Sequence, residues 1–302
     1  MRFLFVCVLL AAVGAVLAFC GSACAAEPGV AKFTVGKATV WAIADSISER
    51  DMNVFPDAGP EEISKYAPSG KTPSATMTFL VKIGDELILI DAGMGAPSGD
   101  RASRLIDGLK QAGVAPEQIT LVLITHMHGD HIGGLARLGK SDEKAFPSAR
   151  VLSAKPENDF WLDPKSVELF PNRAAGFEMA RNILGLYGAA SETFEFGAEV
   201  APGLRALDAS GHTPGHALFL LESDGEKMLF WADLVHAAAL QFPRPDINAQ
   251  YDMNLAEAAA ARVRFMEKAA DEKLPIAGVH LPYPGVGTVT KNASGGYIYT
   301  SR

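Results

Sequence analysis

Apolar and polar residues alternate along several stretches of this chain, and each stretch ends in turn-forming residues. From Lys32 to Asp45, KFTVGKATVWAIAD alternates about Gly36, the pattern of a half-buried hairpin. The pattern returns in TMTFLVKIGDELILIDAG, residues 76–93, with a turn at Gly84 and Asp85 and a second apolar arm ending at Asp91. ALFLLE (217–222) and KMLFW (227–231) predict a third hairpin about Asp224 and Gly225. Two runs do not alternate: ITLVLI (119–124) and LPIAGVH (274–280) read as short buried strands, the second running into His280.

Between these runs the apolar period changes to that of a helix. Leu105, Leu109 and Ala112 predict a helix over 101–113, and Phe177, Ala180, Ile183, Leu184 and Tyr187 predict one over 174–187. A third, over 254–270, places Leu255, Ala259, Val263 and Met266 on one stripe. Residues 50–75, rich in Pro, Gly and Ser and without a period, read as a surface loop that could border a site. With no repeat, low-complexity block or linker, the pattern predicts a layered α/β sandwich of one domain, residues 27–302, with helices on the outer faces of mixed sheets.

The first 26 residues do not fit that domain. Arg2 is their only charge, an apolar run extends from Phe3 to Phe19, and small residues surround Ala23, Ala25 and Ala26, as at a signal-peptidase site. The segment reads as an export signal, and an uncleaved membrane anchor is the alternative, since the run approaches the length of a bilayer span. Lipidation fits poorly: Cys20 follows bulky Phe19, and Cys24 lacks an aliphatic residue three positions earlier. Export implies a periplasmic or secreted protein with no stable membrane insertion after cleavage. All three cysteines (Cys7, Cys20, Cys24) lie in the signal, so the exported chain has neither a disulfide nor a thiolate ligand. A net charge of −8 without a basic run argues against nucleic acid as a partner.

The candidate chemistry lies at strand ends. Of seven histidines, His126, His128 and His131 fall in THMHGDHIGG, His212 and His216 in SGHTPGH, His236 in WADLVH and His280 in GVHLPYPG. His126 and His128 can direct both rings to one ion, while Asp130 and His131, beyond the turn at Gly129, can reach a neighbouring ion. Imidazole and carboxylate ligands suit zinc, and also iron or manganese.

H-x-H-x-D-H followed by Gly133 and Gly134 resembles the signature of the metallo-β-lactamase superfamily. Other pieces of that family's pattern follow in order: LIDAG with Asp91, the glycine-histidine loop with His212, the aspartate after a strand at Asp233, and a last histidine, His280. The resemblance covers about residues 76–285 and implies a four-layer αββα sandwich. It further implies that His126, His128 and His212 hold one divalent ion and Asp130, His131 and His280 a second, with Asp233 bridging. Zinc is the first expectation, and manganese, iron or cobalt accept the same ligands. Asp91 would steady the ligand loop. His216 and His236, outside this ligand set, would fix loops or line the pocket.

Such a centre implies hydrolysis by a hydroxide held between the ions, with Asp130 shuttling a proton. A carboxylate at position 233, where metallo-β-lactamases proper have cysteine or a non-ligand, points away from β-lactam substrates. ADLVHAAALQFPRP (232–245), GVHLPYPGVGTV (278–289) and NDFWLDP (158–164) look like the methyl parathion hydrolase branch, close to the acyl-homoserine lactonases. That likeness implies a small, neutral, ester-like substrate: a lactone, aryl ester or phosphotriester. Phe160 and Trp161 would then line a leaving-group pocket with Phe242 nearby, and Tyr283 and Phe79 are further candidates. A glyoxalase II-like thioesterase, a β-lactamase or a non-catalytic metal-binding member of the fold are the alternatives. A homodimer is left open.

Overall fold

The computed structural model describes residues 29–95, 103–137 and 139–302; the export-signal reading, on residues 1–26, lies outside them. Two seven-stranded sheets dominate. The first is ordered Val30–Val35, Ala38–Asp51, Lys71–Ile83, Glu86–Ile90, Leu121–Leu123, Arg150–Ala154, Ser191–Phe194. The second runs Glu199–Ala201, Leu204–Asp208, Ala217–Ser223, Glu226–Ala232, Ile276–Gly278, Val286–Lys291, Tyr297–Ser301. Spatial order follows chain order in both, so each sheet is built by one half of the chain.

Alternation decides the layers. Val40, Ala42, Ala44, Met77, Phe79, Val81, Ile88 and Ile90 of the first sheet meet Ala206, Phe219, Leu221, Met228 and Phe230 of the second in a core between the sheets. Their alternates, Ile43, Leu80, Leu89 and Val122, face outward under the helices Leu105–Gln111, Lys155–Leu162 and Ala174–Tyr187. Leu218, Leu229, Trp231 and Ile276 do the same under Leu255–Asp271. Helix, sheet, sheet, helix is the sandwich that the sequence predicts. Among the described residues no helix is long and apolar enough to cross a membrane.

The helix at 174–187 buries the five residues that its period singles out. The stripe over 254–270 needs correction, because Leu255 and Val263 are exposed and the buried face is Ala258, Ala261, Arg262, Phe265, Met266 and Ala269. That face is also helically spaced, but it consists mainly of alanines and an arginine, so the larger aliphatic residues beside it dominate the apolar pattern. Residues 50–75 are not a plain surface loop either. They contain the end of one strand, a helix Pro60–Tyr66 and the start of another strand, and they bury Met52, Val54, Phe55 and Ala67 against Leu240 and Ile247. Pro60 starts that helix rather than breaking it, since the first helical position needs no N–H donor.

Parallel pairing gathers the chemistry. Glu86–Ile90, Leu121–Leu123 and Arg150–Ala154 run parallel, with Ile90 opposite Leu123 and Leu123 opposite Leu152, so Asp91 and the 125–131 loop leave the same edge. In the second sheet only Glu226–Ala232 and Ile276–Gly278 are parallel, with Ala232 opposite Gly278, which sends Asp233 and His280 out side by side. The expected strand at 274–280 is shorter than its apolar run, and His280 lies in the turn beyond it.

Gly133 and Gly134 are needed where the ligand loop touches the chain after Asp91. Ala92 N–H donates to His131 O (2.7 Å) and Gly134 N–H to Gly93 O (3.1 Å), and a Cβ on Gly134 would overlap the Ala92 carbonyl oxygen. Gly134→Ala is therefore expected to cost about 3 kcal/mol of stability, as overpacking against a fixed backbone does. Urea denaturation checks this: a midpoint unchanged from the parent would show that the two backbones can move apart.

Candidate metal centre

Five imidazoles and two carboxylates from four loops converge between the sheet edges. His126 Nε2, His128 Nδ1 and His212 Nε2 form a triangle with sides of 3.0, 3.0 and 3.2 Å. Asp233 Oδ2 lies 3.7 Å from His126 Nε2 and 3.5 Å from His212 Nε2. Asp233 also faces the second group, with Oδ1 at 3.1 Å from His131 Nε2 and Oδ2 at 3.1 Å from His280 Nε2. Asp130 closes that group at 3.4 Å from His280 and 3.9 Å from His131. All seven residues expected as ligands are thus in one place, in the two sets that the resemblance implies, with Asp233 in contact with both.

Proton positions show why something positive belongs there. His131 Nδ1 lies 2.8 Å from Asp91 Oδ2, His212 Nδ1 2.8 Å from Asp252 Oδ1, and His280 Nδ1 3.1 Å from the Ala75 carbonyl. Thr125 Oγ1 donates to Asp91 Oδ2 (2.7 Å), so its lone pair accepts from His126 Nδ1 at 3.2 Å. Each partner fixes the N–H on Nδ1, leaving Nε2 of the neutral ring as a bare lone pair. Those lone pairs point at one another and at Asp233, and His131 Nε2 and Asp233 Oδ1 are buried without a hydrogen-bond partner. Four ligands at about 2.0–2.1 Å from a tetrahedral zinc stand roughly 3.3–3.4 Å apart. The first set, with separations of 3.0–3.7 Å, fits that figure.

Outer residues hold these rings, and sequence reasoning found only one of them. Asp91, expected as a support, also accepts from the Thr125 N–H (2.9 Å) and adopts φ +58°, a left-handed conformation that turns its side chain toward the loop. Asp252 pairs with Arg262 (3.0 Å), itself buried and donating to the carbonyls of Leu234, Pro245 and Ile247. Glu157 is fully buried and accepts four hydrogen bonds: from Met127 N–H (2.8 Å) and Trp161 Nε1 (2.6 Å), and from Thr213 Oγ1 (2.7 Å) and Gly215 N–H (2.9 Å). Met127 separates two of the histidines and Thr213 follows a third, so Glu157 ties both histidine loops together. Glu157, one of two acids in the helix Lys155–Leu162, gave no sign of this in the sequence, because three of its four donors come from distant parts of the chain.

The centre opens into a cavity of about 540 Å³ lined by Ser48, Arg50, Met94, Arg173, Met179, His236 and Tyr251 around the ligand side chains. Trp161 and Phe242, expected in a leaving-group pocket, are core residues: Trp161 packs on Phe177, and Phe242 between Trp231 and Tyr299. Phe160 packs on Phe170 and Phe177 and is not in the lining. Phe79 lies in the inter-sheet core and Tyr283 packs against it. Large aromatics carry the most apolar area, and here the core takes it. His236 does line the cavity, with Nε2 at 3.2 Å from Asp233 Oδ2, whereas His216 donates to the Ala209 carbonyl and fixes its loop.

Burial lowers the pKa of His126 and His128, and that of His216 to about 3 and His236 to about 4. Burial alone would lower His131 too, but Asp233, Asp91 and Asp130 outweigh it and raise its pKa well above the ordinary value, so without an ion this ring takes a second proton on Nε2, which a bound cation would displace. The same anionic surroundings attract a divalent cation.

Comparison with known proteins agrees with this geometry. Residues 72–279 match the profile of the Metallo-beta-lactamase superfamily. Over 170 residues the chain is 31% identical to an atrochrysone carboxyl ACP thioesterase of Passalora fulva, covering 56% of this chain and 40% of that protein; the chain spans well under half the length of that curated relative. Among solved structures, the hydrolase AbOPH of the beta lactamase superfamily superposes with a TM-score of 0.85 at 29% identity, covering 91% of this chain and 97% of the other. AidC, a dizinc quorum-quenching lactonase seen with a product, superposes with a TM-score of 0.82 at 28% identity and the same coverage.

Two outcomes follow. Glu157→Gln turns one acceptor oxygen into an NH2 that faces two of the four donors, so it should cost about 2–4 kcal/mol and weaken zinc retention by the His126, His128 and His212 set. Zinc titration with a competing chelator, alongside urea denaturation, measures both; parent-like values would mean that Glu157 carries no strain from the loops. In ion-free protein His216 and His236 stay neutral well below the ordinary histidine pKa, about 6.5 in the unfolded chain. The unfolded state then binds more protons, and stability should fall as pH drops from about 6.5, by about 2 kcal/mol for each such histidine at pH 5. Thermal midpoints of chelator-treated protein at pH 7 and pH 5 check the sign, and a midpoint that holds steady would contradict neutral burial.

Proposed function

Because the chain belongs to the metallo-beta-lactamase superfamily, we propose that this metal-dependent hydrolase works with two divalent ions, zinc first, and cleaves an ester-like bond: a lactone, an aryl ester or a phosphotriester. In this reading His126, His128 and His212 hold one ion, Asp130, His131 and His280 the other, and Asp233 joins them. The observation that carries it is the convergence of bare ring nitrogens on one buried carboxylate, each held in that tautomer by an outer partner. Similarity to AidC supports a lactone or related ester.

Two bound ions would supply a nucleophilic water at neutral pH and polarise the carbonyl or phosphoryl oxygen under attack. The chain's own residues do the rest. Asp130 is partly exposed and stands at the cavity floor. Burial disfavours its charge, but His131 and His280 outweigh that and lower its pKa, so it is a carboxylate at neutral pH. Its Oδ2 can accept a proton from the attacking water and pass it to the leaving oxygen. Met94 and Met179 give the substrate an apolar wall. The 1–26 segment would direct the chain to the periplasm or medium, and a homodimer is the assembly this reading allows. A thioesterase is the second reading, favoured by the similarity to the ACP thioesterase.

Metal analysis of the purified protein should give two ions per chain, with turnover on a panel of lactones, p-nitrophenyl esters, phosphotriesters, cephalosporins and thioesters. Less than one ion, or no turnover on any member, would refute the proposal; thioesters leading the panel would favour the second reading. Asp233→Asn and His280→Ala should each lower turnover more than about a hundredfold, beyond the effect typical of outer residues, with the thermal midpoint little changed. Parent-like rates in either would overturn the ligand assignment.

A further inference from the structure

Two guanidinium groups in the cavity wall have donors without a matching acceptor. Arg173, at the end of the turn Pro171–Arg173, is half-buried and gives one bond to the Tyr251 carbonyl through Nη2 (3.1 Å). Its Nη1 lies 3.0 Å from His128 Nε2. His128 turns Nδ1 to the ligand cluster, so the lone pair belongs on Nδ1 and the proton on Nε2. Arg173 Nη1 then faces an N–H rather than an acceptor. Arg50, near the end of Ala38–Asp51, reaches the cavity beside the Tyr251 ring, its guanidinium carbon 5.8 Å from the ring centroid. Its Nε is buried with no hydrogen-bond partner.

Among the described residues neither arginine has a carboxylate within ion-pair distance. The carboxylates of the lining, Asp130 and Asp233, are engaged with the histidines. Asp252, whose charge reaches Arg173, is already held by His212 and Arg262. A half-desolvated guanidinium with an open donor is costly until an anion meets it, and its fork suits a carboxylate or phosphate.

We infer that Arg50 and Arg173, both against Tyr251, form an anion subsite, and that the substrate is an ester or lactone carrying a second, negatively charged group. This rests on the hydrolase reading and narrows the expectation of a neutral substrate: the bond cleaved is uncharged, and the rest of the molecule is not. The cleaved end lies over the ligand cluster, the anionic end meets the two arginines, and the apolar part lies against Met94 and Met179.

The test compares matched ligands on the zinc-loaded protein. Calorimetry should show glutarate binding at least about tenfold more tightly than butyrate, with 4-phosphonobutyrate as the arm that separates carboxylate from phosphate preference. The ratio of kcat/KM for the mono-p-nitrophenyl ester of glutarate over p-nitrophenyl butyrate should likewise exceed about ten and shrink with added salt. Both preferences should fall toward unity in Arg50→Gln and in Arg173→Gln, and Arg173→Lys should restore part. Equal affinities and a ratio near one in the parent, or a preference that survives both glutamine variants, would overturn the subsite. Arginine-dependent binding of glutarate without turnover of either ester would instead retain the subsite and overturn the hydrolase reading.

Discussion

The structure turns on where its buried imidazoles keep their protons. Asp91, Asp252, Thr125 and the Ala75 carbonyl each fix an N–H on the outer nitrogen of a ring, and so turn a bare nitrogen inward. These inward nitrogens crowd one another and Asp233, and His131 Nε2 and Asp233 Oδ1 are buried there without a hydrogen-bond partner, an arrangement that protein groups alone satisfy poorly. A chain that folds into this arrangement must recover the cost from a cation. The ligand set is therefore less a collection of seven residues than the inner surface of a larger polar network.

That network depends on the two halves of the chain packing face to face so that their strand ends meet at one rim. Asp91 and the 125–131 loop come from the first sheet, Asp233 and His280 from the second, and His212 from the loop between two strands of the second. The ties across the gap are few and specific. Glu157 joins the 127 and 213–215 backbones, Thr125 O accepts from Ala217 N–H (2.9 Å), and Met77 N–H donates to Val279 O (3.1 Å). Because both sheets bury both faces, neither edge can drift without opening a core, and strand packing sets the spacing of the proposed ligands.

What the sequence made legible follows from locality. THMHGDHIGG packs four polar candidate ligands and two close-contact glycines into ten residues; Asp91 and Asp233 follow strands of two sequence-legible hairpins, His280 follows an unbroken apolar run, and His212 stands in a glycine-histidine loop. Glu157, Asp252 and Arg262 carry no such mark, because their meaning lies in partners 10 to 58 positions away. The aromatic residues illustrate the opposite failure. Trp161 and Phe242 were conspicuous beside candidate loops, yet residues of that size are needed to fill the space between helix and sheet, and the cavity wall is left to methionines, arginines and a tyrosine.

This division of labour bears on specificity. The floor of the cavity is over-determined: His126, His131, His212 and His280 are each held from outside as well as facing the cluster, so changing the floor changes whether the chemistry runs at all. The wall is not. Arg50 rests on a strand extension, Arg173 on a short turn before a helix, and Tyr251 on an irregular segment after Gln250 N–H bonds to the Val54 carbonyl (2.8 Å). Such positions can change residue type without disturbing the ligand network, which is how one metal-binding floor can serve lactones, esters or thioesters in different chains. In this chain the wall carries two arginines beside a floor that, in the proposed reading, holds two divalent ions. The excess positive charge in a narrow, partly desolvated space favours anions on entry as well as in the bound state.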